Sequence, residues 1–136
     1  MIKNINHIAI IVPELDGALD FWEGALGLSL ARTQSVPSEG VDVAFLPVGG
    51  SNLELMKPTV ADTGVARFLE KRGPGIHHVC FEVDDIDAMI VRLREREIQL
   101  INEEPLTGHG GYRYAFVHPK STGGVLVELY QMTNES

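Results

Sequence analysis

GIHHVCFEV, residues 75–83, follows a Gly-Pro-Gly break and restarts a pattern already met in INHIAIIV, residues 5–12. Both stretches are short, rich in β-branched residues and bear a histidine, which predicts strands. Successive side chains on a strand point to opposite faces, so His77 and His78 serve different faces. Sliding the chain by 71 positions places Ile5 on Ile76, His7 on His78, Val12 on Val83 and Asp16 on Asp87, and Ala44-Phe45 on Ala115-Phe116. A three-residue insertion in HPKSTGGV then brings LEL (53–55) onto VEL (127–129). The repeat register pairs His78, not His77, with His7, and Glu54 with Glu128.

Working outward, each strand opens the same series of elements. PELDGALDFWEGALG reads as a helix with Pro13 in its first turn, Leu15, Ala18, Leu19, Trp22 and Leu26 at helical spacing, and Gly27 as its stop. LSLARTQSVP (28–37), VDVAFLPV (41–48) and SNLELMK (51–57) read as strands, the last two joined through Gly49-Gly50. ADTGVARFLEKRGPG (61–75) reads as a short linker helix. After GIHHVCFEV comes a helix with Ile86, Met89, Ile90 and Leu93 on one face, then strands at QLINEE, YRYAFVHP and GGVLVELYQM. The order is βαβββ twice: an α+β chain forming one domain over 1–136, with modules at 5–57 and 76–132 and a linker at 58–75.

Composition bounds the function. A net charge of −8 over 136 residues argues against nucleic acid and anionic membranes as partners. An anionic small molecule needs local cations, and Lys57, Arg67, Lys71, Arg72, Arg113 and Lys120 are available. The single cysteine, Cys80, excludes an internal disulfide and fits a reducing compartment, read here as the cytoplasm. The apolar run at 8–12 is too short to span a membrane.

The alternation of side chains predicts two faces per module. Ile8, Ile10 and Val12 in the first, and Val79, Phe81 and Val83 in the second, should pack under each module's helix. The opposite faces carry His7 beside small Ala9, and His78 beside small Cys80, which leaves room next to each imidazole. Glu54 and Glu128 are lone carboxylates between aliphatic neighbours, a placement that calls for a partner or a metal. Two imidazoles and two carboxylates suit a borderline divalent ion such as Zn²⁺, Ni²⁺, Co²⁺, Mn²⁺ or Fe²⁺. Of the other residues, His77 reads as structural, His118 as part of a strand-end loop, His109 as a substrate contact in a turn, Trp22 and Met89 as core, and RLRERE as a solvated helix face. Cys80 lacks a signalled base and reads as lining rather than nucleophile. PVGG and STGG lack phosphate-loop spacing.

The segments NHIAI, LELMKP, VARFLEKRGPGIHHVCFEVDDIDA and AFVHPKSTGGVLVELYQ resemble the methylmalonyl-CoA epimerases of the vicinal oxygen chelate (glyoxalase/bleomycin resistance/dioxygenase) superfamily. The resemblance implies two tandem βαβββ modules forming a curved mixed sheet around a metal cleft, with His7, Glu54, His78 and Glu128 as ligands. It implies epimerisation of (2R)- and (2S)-methylmalonyl-CoA, an acyl-CoA substrate, Co²⁺ or a similar ion, and a homodimer. Chelation of the substrate's thioester and carboxylate oxygens would stabilise the enolate left when the C2 proton departs. Glu128 is the expected base. Some epimerases carry glutamine where this chain has Glu54, and some carry a catalytic glutamate in the third strand where this chain has Val43; Asp42 beside it points to the other face. Glu54, a water molecule or His109 then remain for the second proton. Lys120, Arg113 and the basic side of the linker helix (Arg67, Lys71, Arg72) are the expected contacts for the CoA phosphates, with Cys80 giving clearance beside the substrate. The alternatives are a glyoxalase I-like lyase, whose second glutamate usually follows a shorter Asp-Pro-x-Gly turn than HPKSTGGVLVEL, and a metal-free small-molecule-binding member of the superfamily. An extradiol dioxygenase would need three ligands and a longer chain.

Overall fold

Two parallel strand pairs, one near each repeat of the histidine strand, organise the chain. The structure is a computed structural model and describes residues 1–132. Its elements are strand β1 (Ile2–Ile11), helix α1 (Leu15–Leu19) running directly into a π-helical turn (Asp20–Ala25), strands β2 (Arg32–Val36), β3 (Val41–Val48) and β4 (Ser51–Pro58), helix α2 (Gly64–Arg72), strand β5 (Gly75–Val83), helix α3 (Ile86–Glu95), and strands β6 (Leu106–Thr107), β7 (Arg113–Val117) and β8 (Leu126–Gln131). The chain divides into two compact units: one covers His7–His77, and the other joins Met1–Asn6 to the chain from His78 onward.

In the His7–His77 unit the strand order is β2-β3-β4-β1, with β1 parallel to β4 and the other pairs antiparallel. One face carries Val12, Ala44, Leu46 and Leu55, packed with Ile10 and Leu53 against Leu15, Ala18, Leu19 and Trp22. This is the helix-covered face expected from alternation. The other face holds a second cluster of Ala9, Ile11, Val41, Val43 and Met56, covered by Val65, Phe68 and Leu69 of α2. The segment that reads in sequence as a linker therefore closes a core. Thr63 caps α2 by accepting from the Ala66 N–H at 3.1 Å, and Gly73, at φ 78°, ends it with its N–H donating to the Leu69 carbonyl. The first helix is also shorter than its periodicity predicts. Pro13 lies outside it, before the N-cap Glu14, and the five-residue α-turn widens into the π turn before Gly27, at φ 91°, stops it. The strand expected at 28–37 is confined to Arg32–Val36.

In the other unit the order is β5-β8-β7-β6, with β5 parallel to β8. Val83, Ala115, Val117 and Leu129 pack with Ile86, Met89 and Ile90 of α3, with Phe81 and Leu93 against them. Asp85 caps α3 through its carboxylate, which accepts from the Ala88 N–H at 3.1 Å. QLINEE is not a strand. It makes one isolated bridge, Leu100 to Val117, and then the Asn102 side chain accepts from the Phe116 N–H at 2.9 Å in place of a backbone carbonyl. A side chain has taken the ladder position, and Glu103-Glu104-Pro105 cannot extend the pairing. The short β6 forms only after the proline.

Ile86 is fully buried at the base of α3. Ile86→Ala is expected to lower unfolding stability by about 2–5 kcal/mol, the cost of lost burial plus a cavity, read as a shift in the denaturant midpoint.

Candidate metal and acid–base centre

The two units present the same arrangement. On β1, Ala9 is the residue opposite Glu54 of the parallel β4, and His7 stands two residues earlier on the same face. On β5, Cys80 is the residue opposite Glu128 of the parallel β8, and His78 stands two residues earlier. The small side chain lets the glutamate lie diagonally across it towards the histidine. His7 Nδ1 is 3.4 Å from Glu54 Oε2, and His78 Nε2 is 3.2 Å from Glu128 Oε1. All four side chains are between 8% and 13% exposed. A carboxylate in such a place is costly without a partner, and each imidazole supplies one. Each pair sets an imidazole nitrogen beside a carboxylate oxygen on its sheet, donor types that suit a borderline divalent ion.

The surroundings differ. Beside His78 and Glu128 the sheet face is aromatic. Phe116, opposite Glu128, stands edge-on to His78 at 6.1 Å and 89°. Tyr114 and Tyr130, two residues from Phe116 and Glu128, share that face, and Tyr112 packs on both at 5.4 and 5.0 Å. A Cβ on Gly108 would come within 2.3 Å of the Tyr112 ring, so a larger residue there would have to displace that ring. Burial holds the Tyr130 hydroxyl's pKa above the ordinary phenol value, with nearby Glu82, Cys80 and Glu128 adding to the shift. Beside His7 and Glu54 the face is Phe45, opposite Glu54, and then the α2-covered cluster with Val43, 3% exposed.

The glyoxalase/bleomycin resistance protein/dioxygenase superfamily matches residues 6–116. The chain is 41% identical over 128 residues to the mitochondrial methylmalonyl-CoA epimerase of Homo sapiens, covering 93% of this chain and 73% of that protein. Among solved structures it is similar to a methylmalonyl-CoA epimerase in complex with methylmalonyl-CoA and NH₄⁺ (TM-score 0.85, 33% identity, 98% of this chain and 97% of that one). It is also similar to a hypothetical protein from Bacillus halodurans (TM-score 0.88, 39% identity, 97% and 96%). The chain belongs to the methylmalonyl-CoA epimerase family. Its fold is the vicinal oxygen chelate fold of that superfamily.

Against this family background the other sequence-derived residues take their places. Cys80 is fully buried, opposite Glu128. His77 packs edge-on against Phe68 at 5.1 Å, and His118 Nδ1 accepts from the Lys120 N–H at 3.0 Å, opening the turn Pro119–Ser121. His109 falls outside the described side chains. Lys120 is exposed in the Pro119–Ser121 turn. Arg113 makes two bonds to Asp87, at 2.7 and 2.9 Å, which ties β7 to the first turn of α3. Arg67 pairs with Asp62 at 3.3 Å, and Arg72 lies over the Phe68 ring at 5.5 Å. Asp42 accepts from the Ser35 hydroxyl at 2.6 Å on the face away from Val43. Sequence reasoning missed the tyrosine group and the α2 core. The first was signalled by Tyr112, Tyr114 and Phe116 at strand parity, and the second by Val65, Phe68 and Leu69 at helical spacing.

The hydrogen bonds from Arg113, opposed in part by desolvation, hold the Asp87 carboxyl below the usual carboxylate range. A depressed folded-state pKa means the stabilisation is complete above the unfolded value of about 4 and is lost as pH falls through the folded value. Asp87→Asn is therefore expected to melt lower than wild type at pH 7, with the gap closing as the pH is taken towards 3 in a series of thermal melts.

Proposed function

We propose that this protein is a methylmalonyl-CoA epimerase that interconverts the (2R) and (2S) forms by removing and returning the C2 proton. The observation that carries the reading is the repeated His–Glu pair, diagonal across a small residue in both units, in a chain of the epimerase family. His7, Glu54, His78 and Glu128 are the residues that would hold a divalent ion, Co²⁺ first and Ni²⁺, Zn²⁺, Mn²⁺ or Fe²⁺ after it. Such an ion supplies Lewis-acid stabilisation to a developing enolate.

The chain's own residues do the rest. Glu128 takes the C2 proton: the C–H bond breaks, its electrons pass into the enolate, and the carboxylate becomes the acid. Glu54, carrying a proton and exchanged out of the ligand set, is the group assigned to the opposite face of C2, where giving up that proton forms the new C–H bond of the epimer and leaves the carboxylate; Val43 cannot do this, since it has no ionisable group. Each glutamate's imidazole neighbour orients its carboxylate. The aromatic face of Phe116, Tyr114 and Tyr130 lowers the local dielectric at Glu128 and keeps water from competing for the proton. Lys120 and the basic residues of α2 are assigned to the CoA phosphates, Arg113 joining them only if it leaves Asp87. The reading includes a homodimer and, on the single cysteine, the cytoplasm. Among the described residues no helix is long and apolar enough to cross a membrane.

Incubation with Co²⁺ and methylmalonyl-CoA in D₂O is expected to place deuterium at C2, followed by mass spectrometry. Absence of exchange together with turnover of the glutathione–methylglyoxal adduct would overturn the reading in favour of a lyase. Glu128→Gln is expected to lower kcat by about 100-fold or more. His7→Ala is expected to lose bound cobalt in elemental analysis after dialysis; retention of a full equivalent would remove His7 from the ligand set.

A further inference from the structure

The cations proposed above for the CoA phosphates are largely engaged elsewhere, and none of them belongs to the strands that carry His7 and Glu54. Arg32 stands in the same sheet as those strands. In the register of the first unit, Arg32 of β2 is opposite Phe45 of β3, Phe45 is opposite Glu54 of β4, and Glu54 is opposite Ala9 of β1. The four residues form one transverse row, so Arg32 and Glu54 project from the same face with a single aromatic ring between them. The Arg32 guanidinium lies over the Phe45 ring, its carbon 3.9 Å from the centroid. Stacking fixes the long side chain and leaves the edge of the guanidinium, where its N–H donors are, available for an anion.

Charge on this unit isolates Arg32 further. β2, β3 and β4 contain two basic residues, Arg32 and Lys57. Lys57 lies on the other face and pairs with Glu14 at 3.5 Å. Among the described residues Arg32 has no carboxylate within ion-pair distance, whereas Arg113, Arg67 and Lys3 each have one. Arg32 is exposed, in a chain of net charge −8. Its guanidinium lies over the Phe45 ring, on the face of a proposed ligand pair.

We propose that Arg32, stacked on Phe45, is a specificity-determining residue that binds an anionic group of the acyl-CoA substrate. The inference rests on the epimerase reading. The shared chemistry is an oxyanion, from a CoA phosphate or from the malonyl carboxylate, that accepts charge-assisted hydrogen bonds from the guanidinium. Arg32 takes no part in proton transfer.

The test compares wild type, Arg32→Leu and Arg32→Lys with methylmalonyl-CoA and with methylmalonyl-pantetheine, which lacks the nucleotide phosphates. Losing a charge-assisted contact is expected to raise KM about ten-fold or more in Arg32→Leu, with kcat within about two-fold and an unchanged melting temperature. Arg32→Lys, which keeps the charge but not the planar fork, should recover part of the loss. A KM effect confined to the CoA substrate assigns the phosphates; an effect with both substrates assigns the carboxylate. Unchanged KM with both substrates, or a fall in kcat alone, overturns the proposal. If Leu disturbs the edge strand, seen as a lower melting temperature, Arg32→Gln takes its place and the same criteria apply. Failure of wild type to exchange the C2 proton would strike the epimerase reading itself and is visible separately.

Discussion

Everything at the candidate centre depends on one constraint: a glutamate carboxylate held about nine-tenths buried in a sheet must find a partner on its own face. Parallel pairing decides which partner is within reach. With Glu54 opposite Ala9 and Glu128 opposite Cys80, the histidine two residues back on the adjoining strand comes within 3.4 Å of each carboxylate. A bulkier residue at position 9 or 80 would stand between carboxylate and imidazole, and the glutamate would be left with an unsatisfied charge. The smallness of those two residues is therefore part of the centre's construction. It is a packing requirement, met by burial, and both side chains are wholly enclosed.

The two pairs are built alike but embedded differently. Glu128 lies among aromatic rings that exclude water, and the same burial raises the Tyr130 pKa beside it. Glu54 borders a cluster closed off by α2 at one end and a stacked arginine along its row. Arg32 lies over Phe45, two strands from Glu54. Valine at position 43 packs in the apolar cluster under α2.

The basic residues show how far composition can mislead. Counting cations suggests several phosphate contacts, yet Arg113 serves as a brace between β7 and α3, and Arg67 and Arg72 are engaged along α2. Charge in a sequence is a property of the residue; its availability is a property of what lies within 4 Å of it.

The amino-acid sequence by itself determined the repeated βαβββ order and the equivalence of His7 with His78 and of Glu54 with Glu128, because strand parity and repeat spacing are one-dimensional properties of the chain. It also marked the helix-facing apolar sets, since a period-two pattern on a half-buried strand is legible without coordinates. The pairing partners were decided only by tertiary structure. Which strand lies beside β1, and in what register, places Glu54 diagonal to His7, and that register is invisible locally. The same holds for α2, which looks like a connector until the cluster of Ala9, Ile11 and Met56 is seen beneath it. It holds for QLINEE, whose strand-like residues lost their ladder to the Asn102 side chain. It holds most clearly for Arg32, an ordinary exposed cation in sequence, which only cross-strand neighbours place on the face of a glutamate three strands into the sheet.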